Sequence, residues 1–266
     1  MYKKLIHKSL KRPFGLYVRD DIRRQKEKYT ILLLHGIATD AKFWEKFINK
    51  IRNLFEFQNC RIISLDLLGE GKSPKPDWLE YTIDDHYYSI RKTLKKRNVR
   101  SPLIIVGHSM GGLIALNFAL HYPVKKLMMV GSPIMPTISD RTILNDFQTL
   151  SIKSLGSLAT KNPVLGPIVK FVHSLMLQAK YDVDFVAFRR NLQHVVLENG
   201  ALTELKQIKI PVYLLRGSAD AFSDHKTYMQ AAKQKNIHFK EIPLIGHQIH
   251  GALLSSVVEQ LKNMVK

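Results

Sequence analysis

One cysteine, Cys60, stands among 266 residues. It cannot close an internal disulfide, so the fold must hold by packing alone, in keeping with a reducing compartment. No run of about 18 apolar residues occurs, so no membrane-spanning helix is expected. The first eight residues, MYKKLIHK, carry positive charge but lack the apolar stretch of a secretory signal. A cytoplasmic location is therefore expected. The 11 histidines show no metal-ligand spacing such as H-E-x-x-H. No nucleic-acid motif accompanies the basic residues. The expected reading has no metal, no cofactor and no nucleic-acid partner.

Negative charge is also scarce. Against 22 acidic residues stand 41 lysines and arginines, a formal charge of +19. Such a field can steer anionic substrates or hold a protein near an anionic membrane surface. The basic residues are scattered, however, with only short clusters such as Lys95-Lys96-Arg97. A lysine-rich solvated surface is the simpler reading.

What is present is a pattern of short apolar runs alternating with segments of helical period, which points to a parallel sheet with crossover helices. Strands are predicted at Tyr29–His35, Arg61–Leu67, Leu103–Gly107, Lys126–Val130, Pro211–Arg216 and His238–Ile245. Leu16–Arg19 is a candidate for an antiparallel edge pair. Helices are predicted over Phe43–Phe57, from Thr82 as N-cap to Lys96, over Met110–His121 before Pro123, and over Leu253–Val265. A further polar helix is expected between the last two strands. From about Ile134 to Lys209 no β-rich run occurs, but helical patterns do, including Val164–Ala179 and Phe185–Leu197. A structureless loop of that length is improbable. The organisation expected is an α/β core over 1–133 and 210–266, with a helical cap over 134–209.

The residues that carry chemistry fall at strand ends. Gly107-His108-Ser109-Met110-Gly111 matches G-x-S-x-G, between a strand and a helix as a nucleophile elbow requires. The glycines are needed because side chains two positions either side of the serine would collide in so sharp a turn. A serine hydroxyl is a poor nucleophile at neutral pH and needs a base. His247 follows the last strand and precedes the C-terminal helix, where such a base belongs, with His250 as the alternative. The imidazole in turn needs a carboxylate to fix its tautomer. Asp220, just past the strand ending at Arg216, is the choice. Asp224 with Ser223 reads better as a helix cap, and Asp140 is a more distant alternative. The order Ser109, Asp220, His247 is that of the α/β-hydrolase class. An oxyanion hole is expected from the backbone N–H of Met110 and that of Ile37, in His35-Gly36-Ile37-Ala38, where Gly36 allows close approach.

Taken together, LLLHGIATDAKFW, DLLGEGKSPKP, GHSMGG, RGSAD and IGH resemble the ordered landmarks of the capped α/β-hydrolase superfamily. The likeness is to its small esterase, monoacylglycerol-lipase-like and carbon–carbon hydrolase branches. It runs from about Tyr29 to the C-terminus, with the cap poorly matched. The resemblance implies that Asp66, Gly69, Gly71 and Ser73 form a structural loop and that Trp44 packs behind the oxyanion loop. A serine at position 109 argues against the branches that use an aspartate nucleophile. The expected activity is hydrolysis of a carboxylic ester with a short to medium acyl chain. The apolar cap residues (Leu165, Ile168, Val169, Phe171) offer an acyl pocket or simply a packed helix face. A thioesterase or carbon–carbon hydrolase with the same triad, or a non-catalytic ligand receptor on this scaffold, remain alternatives.

Overall fold

The structure, a computed structural model, describes residues 12–135 and 183–266. Seven strands form one sheet in the order β1-β3-β2-β4-β5-β6-β7. They are β1 (Val18–Ile22), β2 (Tyr29–Leu34), β3 (Cys60–Leu65), β4 (Leu103–His108), β5 (Val124–Val130), β6 (Val212–Gly217) and β7 (Ile237–Ile242). Strand β1 pairs antiparallel with β3, and every other pairing is parallel. The expected α/β-hydrolase architecture, a mostly parallel sheet flanked by helices, is what forms.

The sequence places apolar side chains on both faces of the central strands because both are covered. Leu32 and Leu34 point into one core, together with Ile90, Leu94, Leu113, Ile114 and Phe118. Ile31 and Leu33 point into the other, with Phe47, Ile51, Val257 and Leu261. The first layer is formed by α2 (Ile83–Lys96) and α3 (Met110–His121), the second by α1 (Glu45–Ile51) and α7 (Gly251–Val265). Helix α2 begins in a reciprocal capping box: the Asp85 N–H donates to Thr82 Oγ1, and the Thr82 N–H donates back to Asp85 Oδ2.

Several boundaries shift by one to three residues, and two departures from the sequence reading have a physical reason. The single helix expected over Phe43–Phe57 is instead a 3₁₀ turn (Ala41–Trp44), α1, and a second 3₁₀ turn (Phe55–Phe57). Leu54 is extended (φ −73°, ψ 141°) and breaks the run. The break lets Phe57 bury completely while Phe55 stays 81% exposed, which one regular helix with that spacing would not do. Strand β7 ends at Ile242 rather than Ile245, because Pro243 has no N–H to continue the ladder, and Leu244 turns with φ +58°.

Part of the segment assigned to a helical cap is described. Helix α4 (Phe185–Asn191) runs on as a π-helical stretch to Leu197, followed by α5 (Ala201–Gln207). Their buried residues, among them Phe188, Leu192, Val195 and Leu205, belong to the same core as α3. The helix expected at Val164–Ala179, its apolar residues and Asp140 lie outside the described residues. Among the described residues no helix is long and apolar enough to cross a membrane. The remaining helix, α6 (His225–Ala231), lies between β6 and β7.

Candidate active site

Strand β4 ends at His108, and α3 starts at Met110. Between them Ser109 adopts φ +52° and ψ −123°, a strained conformation that surrounding structure must hold in place. Its own N–H donates to the Val130 carbonyl at 2.9 Å. The flanking glycines have steric reasons. A Cβ at Gly107 would run into the backbone of Gly111 and Gly112, and one at Gly111 into the carbonyls of Leu34 and His35. Only at these close approaches can α3 leave the sheet so abruptly.

Two strand ends away, His247 Nδ1 lies 3.0 and 3.1 Å from the two carboxylate oxygens of Asp220. An ionised carboxylate only accepts, so Nδ1 carries the proton and the lone pair of the ring is at Nε2. Asp220 is well supported. Its Oδ1 accepts from the Phe222 N–H at 2.9 Å and its Oδ2 from the Ser223 hydroxyl at 2.8 Å. Burial works to raise its pKa, but the hydrogen bonds from His247, Phe222 and Ser223 outweigh burial and hold it below the ordinary aspartate value. Arg216, at the end of β6, donates to Ser223 Oγ and to the Asp220 carbonyl, both at 3.1 Å, and its other face pairs with Glu241.

Two features tie this pair to the elbow. The backbone at the end of β5 passes between them: the Val130 carbonyl holds Ser109, and Gly131 (φ +59°) lies so near that a Cβ there would sit 3.0 Å from Asp220 Oδ2 and 3.2 Å from His247 Nδ1. The second is His108, whose Nε2–H donates to the His247 carbonyl at 2.9 Å and whose ring centroid lies 4.7 Å from that of His247. Burial, then the neighbouring His247, depresses the His108 pKa to about 3, so the ring stays neutral. Phe43 stacks on its outer face at 4.5 Å, and Phe222 meets the His247 ring edge-on at 4.7 Å.

The loop after β2 approaches from the other side. A Cβ on Gly36 would lie 3.2 Å from Ser109 Cβ, so the loop carrying Ile37 abuts the serine. His35 fixes it. The Leu67 N–H donates to His35 Nε2 at 2.9 Å, so Nδ1 bears the proton and donates to the Gly36 carbonyl at 2.7 Å. That carbonyl and the Ile37 N–H belong to one trans peptide and point opposite ways, so the bond sets the direction of the Ile37 N–H. The N–H of Met110 is the first of α3 and has no carbonyl one turn back to donate to.

Asp224 caps α6 by accepting from the Thr227 N–H at 2.8 Å, as expected. Ser223 does not share that role, since its hydroxyl turns back to Asp220. His250 sits exposed before α7. Asp66 organises backbone: its oxygens accept from the N–H groups of Ala41 and Lys72, and its carbonyl from the Ser73 hydroxyl. Trp44 is fully buried between Phe43 and Phe47. His35 and His108 were not singled out in the sequence, and Ser223 was read only as part of the helix cap. The histidines sit inside motifs whose pattern leaves their positions open, and only Ser223, three residues after Asp220, follows a recognisable local turn spacing.

Comparison with known proteins agrees with this architecture. The thermophilic esterase from Thermogutta terrifontis superposes with a TM-score of 0.71 at 17% identity, covering 93% of each chain. An esterase from Exiguobacterium antarcticum gives 0.67 at 17% identity, over 94% of this chain and 99% of the other. At such identities the likeness is one of fold. The sequence profile of the alpha/beta hydrolase fold family matches residues 29–160, from β2 through the elbow and β5. The chain belongs to the α/β-hydrolase superfamily. Within that superfamily a "Probable lysophospholipase BODYGUARD 4" of Arabidopsis thaliana is 31% identical over 123 residues, 46% of this chain. That match takes in 29% of the plant protein, so this α/β-hydrolase spans less than a third of the curated relative.

Proposed function

We propose that this α/β-hydrolase is a serine hydrolase that cleaves carboxylic esters of short to medium acyl chain. The observation that carries the reading is the Asp220–His247 pair, hydrogen-bonded at 3.0 Å and fastened by His108, the residue beside Ser109. Fold alone does not specify chemistry, but this arrangement leaves His247 Nε2 as the basic atom. In the proposed reaction His247 takes the Ser109 proton as Oγ attacks the ester carbonyl. The N–H groups of Ile37 and Met110 hold the oxyanion, and His247 returns the proton to the leaving alcohol. Water then hydrolyses the acyl-enzyme with the same base. Asp220 keeps the imidazole in the required tautomer and stabilises the imidazolium.

An ester substrate is favoured because the structural neighbours include esterases and the plant relative is named a probable lysophospholipase. A fluorophosphonate probe tests the nucleophile. Wild type should label and Ser109→Ala should not, and absence of wild-type labelling would point to a non-catalytic protein. A series of p-nitrophenyl esters of graded chain length, beside a lysophospholipid, a thioester and a carbon–carbon-cleavage substrate, tests the substrate class.

A further inference from the structure

Glu70 lies in the loop after β3 and is 3% exposed. Its Oε1 accepts from the Ala38 N–H at 3.2 Å and, at a longer 3.5 Å, from Asn191 Nδ2 on α4. Asn191 is itself pinned: Nδ2 also donates to the Leu68 carbonyl at 3.3 Å, and Oδ1 accepts from His86 Nε2–H on α2 at 2.8 Å. Ala38 follows Ile37 directly and has φ +56°, left-handed backbone that an alanine adopts only when held there. The loop is thus gripped on both sides of Ile37. His35 holds the Gly36 carbonyl before it, and Glu70 holds the Ala38 N–H after it.

We propose that Glu70 is a positioning residue for the oxyanion loop, its carboxyl fixing Ala38 and thereby the aim of the Ile37 N–H, with Asn191 bracing that carboxyl from α4. The inference rests on the serine-hydrolase reading above. It adds a pH dependence with a definite sign. Burial pushes the Glu70 pKa up to about 8, against the Ala38 N–H, the Lys75 ammonium and Asn191, which act to lower it, while Asp66 raises it further. Tyr81 and Asp66 are the other titratable groups that sense or face this carboxyl. His86, behind Asn191, is held neutral by burial, with a pKa of about 4. At pH 7 Glu70 is therefore mostly the uncharged acid and adds no full negative charge of its own beside the oxyanion loop. Ionisation above about pH 8 puts one there and opposes the oxyanion that forms.

The test is the pH profile of kcat and KM between pH 5 and 10 for wild type, Glu70→Gln and Glu70→Ala, with a p-nitrophenyl ester as substrate. Each protein is also titrated with the fluorophosphonate probe. The amide of Gln still accepts from Ala38 but does not ionise. Glu70→Gln should keep kcat at pH 7 within about threefold and lose the alkaline fall centred near pH 8. Glu70→Ala should lose kcat by about 10- to 100-fold with KM within about twofold, because the support acts on the transition state. That loss stays short of removing a donor outright, which costs about 10²–10³. An alkaline limb unchanged in Glu70→Gln, or an undiminished kcat in Glu70→Ala, overturns the proposal. Should Glu70→Ala fail to fold, the Glu70→Gln limb decides alone. A wild type that neither turns over nor labels overturns the serine-hydrolase reading and this inference together. Failure of the variants in a wild type that does both overturns the inference alone.

Discussion

His108 Nε2–H donates to the carbonyl of His247 across 139 positions of sequence, at 2.9 Å. The residue preceding the elbow serine thereby holds the loop that carries the proposed base. Removing that donor takes away one of the holds on the loop. A misplacement of about 1 Å can cost about 10²-fold in rate. His108→Ala should therefore slow fluorophosphonate labelling by about 10- to 100-fold, with His108→Gln, which keeps an N–H donor, losing less. Equal labelling rates in all three would show that the loop is held by other means.

Asp220→Asn should fold normally and lose up to about 10⁴ in turnover, since the amide sets the wrong imidazole tautomer. Circular dichroism and kcat on one ester check both halves.

Ser223→Ala is a gentler probe of the same carboxylate. The serine hydroxyl is one of the groups that hold the Asp220 pKa below its ordinary value, so the variant should bring that pKa upward. The sign follows: a depressed carboxylate contributes stability that is present above its unfolded pKa and lost as pH falls through the folded one. Denaturant titrations should show Ser223→Ala less stable than wild type by about 1.5–3 kcal/mol at pH 7, the usual worth of a hydrogen bond to a charged group. The gap should narrow as pH falls through the Asp220 transition. A gap that does not depend on pH would contradict this role.

Glu70 bears on stability in the opposite sense. Its folded pKa of about 8 exceeds the ordinary 4.5, so between those values the folded chain holds a proton that the unfolded chain has released. Stability falls with rising pH across that window, and the full penalty of a buried carboxylate is present above it. Glu70→Gln removes the penalty. Its melting temperature relative to wild type should climb from pH 5 to pH 9, and a constant offset would contradict the assignment.

The glycines around the elbow separate fold from chemistry. Gly111→Ala drives a Cβ into the Leu34 and His35 carbonyls, which cannot give way. It should cost ~1–3 kcal/mol or more, the range for overpacking, read by denaturant unfolding. Gly36→Ala meets Ser109 Cβ and His108 Nδ1 at 3.2 Å, a squeeze that a loop can relieve by a few tenths of an ångström. Its loss should appear chiefly in kcat.

The sheet and the elbow were legible in the sequence because apolar runs and glycines are direct imprints of burial and close approach. Met110–His121 coincides with α3, and Thr82 caps α2 as its spacing implies. The pairing of Asp220 with His247 follows from their positions after β6 and β7. The layer that holds them was not legible. His108 and Glu70 bond to backbone groups far away in sequence, and His35 is oriented by the distant Leu67 N–H; no periodicity encodes such a partner. The Phe43–Phe57 segment misled for a related reason: its spacing fits a helix, but the alternative of exposing Phe55 to bury Phe57 is decided by packing against the sheet.

Strands β5 and β6 pair directly, Met129 beside Leu214, although the chain leaves one at Val130 and enters the other at Val212. Hydrogen bonds between neighbours in the sheet thus fasten the exit and the re-entry of that long excursion. The returning half of that excursion packs into the same core as α3 through Phe188, Leu192 and Val195, and its Asn191 donates to the Leu68 carbonyl in the loop after β3. That half of the excursion is therefore part of the core and cannot be replaced as a detachable piece.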